Sequence, residues 1–135
     1  MINQKNMRFL IVLFLTFCVA VSACSATPSL RIGWACFDGA QKMDCSYREF
    51  SGREINTERL ETGTTATVRY DIMVDSGTLT FTIEDPDGEH ISTVNITESL
   101  NDIHSFTAEE DGRYSFIVEG EETAGAFLIE WDLSG

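Results

Sequence analysis

The sequence predicts an all-β protein, an antiparallel β-sandwich of about eight strands that follows a cleaved signal peptide. Apolar and polar residues alternate with a period of two from Tyr47 onward, as they do through residues 66–74. That period is typical of strands with one face buried. Turn residues such as Asp85-Pro86-Asp87-Gly88 interrupt the alternation at strand-length spacing, which indicates short strands joined by tight turns.

Composition limits the class of protein further. The 135 residues include 22 acidic and 9 basic side chains, for a formal net charge of -13, and 43% are hydrophobic. A nucleic-acid-binding protein needs a basic face against the phosphates, so we expect no nucleic-acid partner. The hydrophobic fraction is too high for a disordered chain, and the length suits one modest domain.

The first residues have the organisation of an export signal. Lys5 and Arg8 precede an apolar run from Phe9 to Val21, which is 13 residues long (21 − 9 + 1). A membrane-spanning helix needs about 20 apolar residues, so this run is too short to be one. A charged start, a short apolar stretch and small residues at its exit are typical of a secretory signal peptide.

The exit Val21-Ser22-Ala23-Cys24 resembles the lipobox of bacterial lipoproteins. Cys18 is the competing cysteine, but bulky Phe17 precedes it. The resemblance implies a diacylglyceryl group on the Cys24 sulfur, cleavage before Cys24, and fatty acylation, as with palmitate, of the new N-terminus. It divides the chain into a signal peptide (1–23), a lipidated tether (24–30) and a β-sandwich domain (31–135). The partner it implies is a membrane, bound through the lipid on the extracytoplasmic side of the cell membrane or outer membrane.

The alternation and the turn signals together place the strands. Asp75-Ser76-Gly77 is interpreted as a hairpin turn, and residues 120–125 as another turn. Residues 53–59 show the weakest strand pattern, and a helical turn is the alternative there. The predicted strands are 43–50, 53–59, 64–74, 78–84, 90–97, 101–107, 113–119 and 125–133.

Cys36 and Cys45 are the two cysteines that remain after Cys18 and Cys24. An exported chain enters an oxidising compartment, so this pair is predicted to form a disulfide. The alternative is a metal site, but His90 and His104 are not at ligand spacing from the cysteines. We therefore expect no metal ion and no other cofactor.

The last sixty residues resemble a known type of sandwich. Gly112-Arg113-Tyr114 opens one strand, and Gly125-x-Phe-x-Ile-x-Trp131 closes the domain. This arrangement is similar to the jelly-roll-like domains appended to secreted bacterial proteases and to the lumenal Golgi-dynamics domain. The resemblance implies a binding or accessory module, and so a protein that is not an enzyme.

An enzymatic alternative depends on Asp75. The segment Asp75-Ser76-Gly77 after a hydrophobic strand resembles the aspartic-protease signature. That chemistry needs two facing carboxylates that share one proton, so a chain with one such motif would have to act as a homodimer. Strict alternation resumes at Leu79, which favours a simple hairpin turn instead.

Two further features bear on ligands. The acidic turn from Asp85 to Glu89 holds three carboxylates, which could bind calcium or could simply form a type I turn. Trp34 and Tyr47 flank the cysteine loop outside the clean alternation, so they are the candidate ligand-binding aromatics. The sequence therefore favours a lipid-anchored, non-catalytic binding or envelope-accessory domain with a protein or carbohydrate partner. The alternatives are a surface lipoprotein that captures a ligand or carbohydrate, and the homodimeric protease.

Overall fold

The computed structural model describes residues 29–135, so the predicted signal peptide and Cys24 lie outside the described residues. Every paired strand in this part of the chain is antiparallel, and it contains no helix that could cross a membrane. The all-β antiparallel prediction is confirmed. The seven strands are β1 (Leu30–Ile32), β2 (Ala35–Gly39), β3 (Lys42–Leu60), β4 (Thr65–Glu84), β5 (His90–Ile96), β6 (Leu100–Thr107) and β7 (Gly112–Ser134).

Three strands are longer than predicted, and this corrects the strand list. Residues 43–50 and 53–59 belong to β3, residues 64–74 and 78–84 to β4, and residues 113–119 and 125–133 to β7. The hairpin turn predicted at Asp75-Ser76-Gly77 is wrong, because β4 continues through it with register shifts against β7. These residues form a β-bulge, which adds residues to a strand without reversing it. The two short strands β1 and β2 were not predicted.

The irregularities of the three long strands lie side by side. Tyr47 and Val74 both face Gly125, while Gly52 and Leu79 both face Gly120. We call this region of adjacent irregular segments the corner. It is formed by residues 47–52, 74–78 and 120–125. Because strands bend where bulges and glycines interrupt the ladder, each long strand passes from one layer of the protein to the other at the corner.

The corner divides the strands into two layers. Sheet I contains β2, β6 and the halves of the long strands at residues 42–47, 65–74 and 125–134. Sheet II contains β5 and the halves at residues 52–60, 78–84 and 112–120.

The two sheets enclose one hydrophobic core. The fully buried ring of Trp131 in sheet I stacks on Phe116 in sheet II, with centroids 4.2 Å apart. Further ring contacts across the layers join Tyr70 to Phe81 at 5.5 Å and Phe106 to Tyr114 at 5.7 Å. The predicted sandwich is confirmed, because alternate side chains of both sheets meet between them.

The two ends of the sandwich differ. The corner lies at one end, where Leu30 of β1 pairs with Ser51 of β3. Three loops (61–64, 85–89 and 108–111) meet at the other, which we call the loop end. They are held together by hydrogen bonds such as Gly63 N to Ala108 O (2.8 Å) and Thr62 N to Asp111 Oδ1 (2.7 Å).

Candidate functional site

The outward surface of sheet I, which we call the outer face, carries exposed apolar side chains. Phe37 on β2 is 75% exposed, Ile103 on β6 57% and Met73 on β4 54%. They are three of the six large hydrophobic side chains that are exposed among residues 29–135. Leu128 of β7 lies between them and is half-buried. Phe37 and Ile103 lie on the two edge strands of sheet I, and Met73 lies on a strand between them, so exposed apolar groups are distributed across the whole face. Several exposed apolar groups on one sheet face are typical of an interaction surface.

Strand register places the polar groups of the outer face among these apolar ones. One row crosses the whole sheet, because Phe37 faces Asp44, Asp44 faces Leu128, Leu128 faces Asp71, and Asp71 faces Asn101. A small cleft of about 160 Å³ lies along this row between β4, β6 and β7. The surface thus combines apolar contacts with hydrogen-bonding groups at fixed spacing.

The charges of the outer face are mostly paired with each other. The Lys42 ammonium lies 3.8 Å from the Asp44 carboxylate and 3.9 Å from that of Glu130. The Arg69 guanidinium lies 3.1 Å from the Asp132 carboxylate. Paired charges at a rim attract a charged ligand only weakly. The free carboxylates of this acidic chain are concentrated elsewhere.

The disulfide predicted between Cys36 and Cys45 is confirmed. The two residues face each other directly in the β2–β3 hairpin. Cys45 is buried, and Cys36 packs against the core. The bond ties the edge strand β2 to β3, and it therefore holds Phe37 in place on the outer face.

Trp34 and Tyr47, which flank the Cys36–Cys45 loop in the sequence, are in contact in the structure. Their rings are stacked with centroids 5.8 Å apart, and Phe50 packs against both. The Arg31 guanidinium lies 4.4 Å above the Trp34 ring, in a cation–π contact. Tyr47 is buried, which raises the pKa of its phenol. Trp34 is half-buried, and the ligand-binding role of both residues stays a prediction.

The acidic turn is joined by a residue that the sequence analysis missed. The Asp85 carboxylate accepts hydrogen bonds from Asp87 N and Glu89 N, both at 2.9 Å, which fixes the turn. Glu110, from the next loop along the loop end, brings a third carboxylate oxygen within 4.8 Å of those of Asp85 and Asp87. Its hydrogen bond to Asp87 is the main reason that the pKa of Glu110 is raised. Oxygen groups this close are the ligands that calcium prefers.

Asp75 is exposed within the bulge of β4. The glycine of the same motif has a structural role. Gly77 has a φ of +75°, and a Cβ there would meet the carbonyl oxygens of Glu121 and Glu122 on the facing strand. The segment Asp75-Ser76-Gly77 therefore suits a β-bulge, because its glycine allows both the positive φ and the close approach of the facing strand.

Comparisons with known proteins bear on the whole domain. The sequence matches the emp24/gp25L/p24 family/GOLD over residues 50–134, which confirms the resemblance to the Golgi-dynamics domain. A comparison with curated proteins found no match.

Among solved structures, the chain is similar to carbohydrate-binding modules. One is the module CBM6cm-2 of Cellvibrio mixtus lichenase 5A in complex with cellotriose, at 12% identity and a TM-score of 0.47, with 81% of this chain and 92% of that chain covered. Another is TmCBM61 in complex with β-1,4-galactotriose, at 15% identity and a TM-score of 0.48, with 76% and 88% covered.

Proposed function

The chain belongs to the emp24/gp25L/p24 family/GOLD, and we propose that it acts as a non-catalytic binding domain, anchored by a lipid at Cys24 on the outer side of a bacterial membrane. Its recognition surface is the outer face of sheet I, and its partner is a protein. The observation that carries this proposal is the exposure of Phe37, Met73 and Ile103 on the same sheet face.

Exposure and charge favour a protein partner. A protein interface buries apolar and aromatic anchors at its centre and leaves a polar rim. The outer face has exposed apolar side chains such as Phe37 and Leu128, and ion pairs around Lys42 and Arg69 lie on the same surface. Because the charges of Lys42 and Arg69 are already paired, burying these ion pairs costs less desolvation than burying unpaired carboxylates.

The signal sequence supports the lipid anchor, and the short segment between Cys24 and β1 determines how far the domain can lie from the membrane. Two acyl chains hold a protein at a bilayer firmly, whereas one holds it only marginally. Residues 25–29 would connect Cys24 to β1 and span at most about 18 Å, so the domain stays near the surface. The anchor has a direct test in the mass of the native N-terminus. We expect a species that begins at Cys24 and carries the diacylglyceryl group together with an N-terminal acyl chain, and we expect its loss in Cys24→Ser. An unmodified N-terminus at Met1 would disprove the anchor.

The recognition surface can be tested separately, by photo-crosslinking on intact cells. A photoreactive phenylalanine analogue at Phe37 should yield a discrete protein adduct, and the charged variant Ile103→Asp should reduce that adduct by about tenfold. Ile55 is the matched control, since it is 49% exposed but lies on sheet II. A probe at Ile55 that gives the same adduct would show that the outer face is not the recognition surface.

A carbohydrate is the second candidate ligand. Phe37, which is 75% exposed, offers a stacking platform. Hydrogen-bonding groups follow it along the same row of the sheet: Asp44 directly opposite, then Asp71 and Asn101 further across. Binding to an oligosaccharide array that is lost in Phe37→Ala would replace the protein partner with a sugar on the same face. Binding lost in Trp34→Ala alone would instead assign the ligand to the aromatics of the cysteine loop.

A further inference from the structure

One carboxylate of the outer face has no cation partner. The charged residues that strand register places on this face are Lys42, Asp44, Arg69, Asp71, Glu130 and Asp132. The ion pairs of Lys42 and Arg69 involve every carboxylate of this set except that of Asp71. Asp71 is exposed, and it forms no ion pair with any residue of the described part of the chain. Its carboxylate is therefore open to a cation from another molecule.

Asp71 lies in the cleft of about 160 Å³ between β4, β6 and β7. Leu128 faces it from β7 and Asn101 faces it from β6. Ile103, which is 57% exposed, lines the β6 side of the same cleft. Arg69 lines the cleft as well, but its guanidinium is already paired with a carboxylate of β7 at 3.1 Å. The cleft thus combines apolar walls with a carboxylate that lacks a partner.

Covering the outer face requires a cation at Asp71. A protein that binds this face excludes water from the centre of the interface. A carboxylate that loses its hydration without gaining a cation or a donor opposes binding, so the partner has to supply one. A side chain with a long apolar stem and a cationic head fits a cleft of this composition. We propose, on the basis of the function proposed above, that the cleft binds an arginine side chain of the partner protein, with the guanidinium on the carboxylate of Asp71.

The pairing of Asp71 with Asn101 favours arginine over lysine. Side chains directly opposite each other on antiparallel strands have Cβ atoms about 4.5–5.5 Å apart. The carboxylate of Asp71 and the amide oxygen of Asn101 therefore offer two acceptors side by side. A guanidinium donates hydrogen bonds from a rigid planar fork, whereas an ammonium acts as a point charge. The arginine stem would then lie against Leu128 and Ile103.

The charge of the whole chain also favours a basic partner. With 22 acidic and 9 basic residues, its formal net charge is -13. Such a charge attracts basic surfaces and accelerates encounter with them. Charge alone would direct a cation to any acidic loop of the domain. The apolar walls and the fixed pair of acceptors distinguish the cleft from those loops.

Nuclear magnetic resonance titration of the full chain, purified in an uncharged detergent, tests the cleft without knowledge of the partner. The probe is N-acetyl-arginine methylamide. The matched probe is N-acetyl-citrulline methylamide, which has a similar shape but no charge. We expect the backbone amide signals of Asp71, Asn101 and Ile103 to shift with the arginine probe and to stay in place with the citrulline probe.

Two variants on the same face separate the cleft from general electrostatic attraction. Asp71→Asn should weaken binding of the arginine probe about tenfold, because the charged acceptor is lost. Asp44→Asn removes an equal charge, but the carboxylate of Asp44 is already paired with Lys42, so binding should change by less than about twofold. Asn101→Ala should reduce the preference for arginine over N-acetyl-lysine methylamide. The thermal midpoint of each variant reports whether the fold is intact.

The photo-crosslinking on intact cells connects the cleft to the partner. Asp71→Asn should reduce the adduct at Phe37 about tenfold, and Asp44→Asn should leave it unchanged. Equal shifts with both probes, tighter binding of the lysine probe, or undiminished binding in Asp71→Asn would each overturn the arginine site, and an adduct that persists at Phe37 would still support the recognition surface. Asp71-dependent binding of the arginine probe without any adduct at Phe37 would support the site and contradict the protein partner.

Discussion

Replacing Gly77 by alanine tests the corner at its most crowded point. Gly77 combines a φ of +75° with a carbonyl oxygen, that of Glu121, only 2.6 Å from where a Cβ would lie. Both features follow from the bulge that turns β4 from sheet I into sheet II. We expect Gly77→Ala to lower the free energy of unfolding by more than the unfavourable backbone conformation of alanine alone would account for.

Gly63 is the matched control and allows the magnitude to be worked out. Its φ is +91°, but no atom lies within 4 Å of a Cβ built there. Alanine in the left-handed region costs roughly 1–2 kcal/mol at either position, and the gain from a less flexible unfolded chain is the same at both. At Gly77 the facing carbonyls must also move, and overpacking of this kind adds about 1–3 kcal/mol. The difference between the two variants therefore measures the close approach of β4 and β7.

Urea denaturation of the oxidised full chain gives both free energies of unfolding, provided that the m-values agree. We expect Gly77→Ala to lie below Gly63→Ala by about 1–3 kcal/mol. If Gly77→Ala were as stable as Gly63→Ala, the two strands would not approach closely there. The bulge would then not explain why a glycine occupies position 77 in the segment Asp75-Ser76-Gly77.

Two further predictions concern the hairpin and the acidic turn. Replacing both Cys36 and Cys45 by serine opens a ring of ten residues (45 − 36 + 1) and should lower the free energy of unfolding by about 2.5–3 kcal/mol in urea denaturation; an unchanged value would mean that the bond does not constrain the chain. Asp87→Asn should lower the pKa of Glu110, measured by NMR titration, because the hydrogen bond to Asp87 is the main cause of its elevation. Since the folded pKa of Glu110 lies above the unfolded one, its protonation stabilises the fold at low pH, and this contribution is lost as the pH rises through the folded pKa. Asp87→Asn should therefore weaken this pH dependence, and an unaltered titration curve would contradict the contact.

Local alternation predicted which side chains face the core. Val68, Tyr70 and Ile72 are all buried, as their spacing in the sequence requires, and Trp131 shares the same core. A period of two is a property of the strand itself, so it can be read without knowledge of the neighbouring strands. The same reasoning placed the acidic turn after Glu84 correctly.

Turns and bulges could not be told apart in this way. Aspartate, serine and glycine suit a chain reversal and a bulge equally, because both need residues that tolerate unusual backbone angles. At Gly77 the outcome depends on pairing with residues 120–125, more than forty positions along the chain. The third carboxylate of the acidic cluster was missed for a similar reason: Glu110 reaches Asp85 only through the meeting of two loops.

If Cys24 is lipidated, the direction in which the chain enters the domain sets its orientation on the membrane. β1 joins the corner where Leu30 faces Ser51, so the tether leads from the corner to the bilayer. The strand halves between the corner and the loop end have roughly eight residues and are about 27 Å long, longer than the tether's reach of about 18 Å. A fluorophore at Ser76→Cys, on the corner, should therefore be quenched by nitroxide-headgroup lipids more strongly than one at Glu109→Cys, at the loop end. Absence of quenching at both sites would mean that the anchor is missing, whereas stronger quenching at Glu109 would show that the anchored domain is inverted.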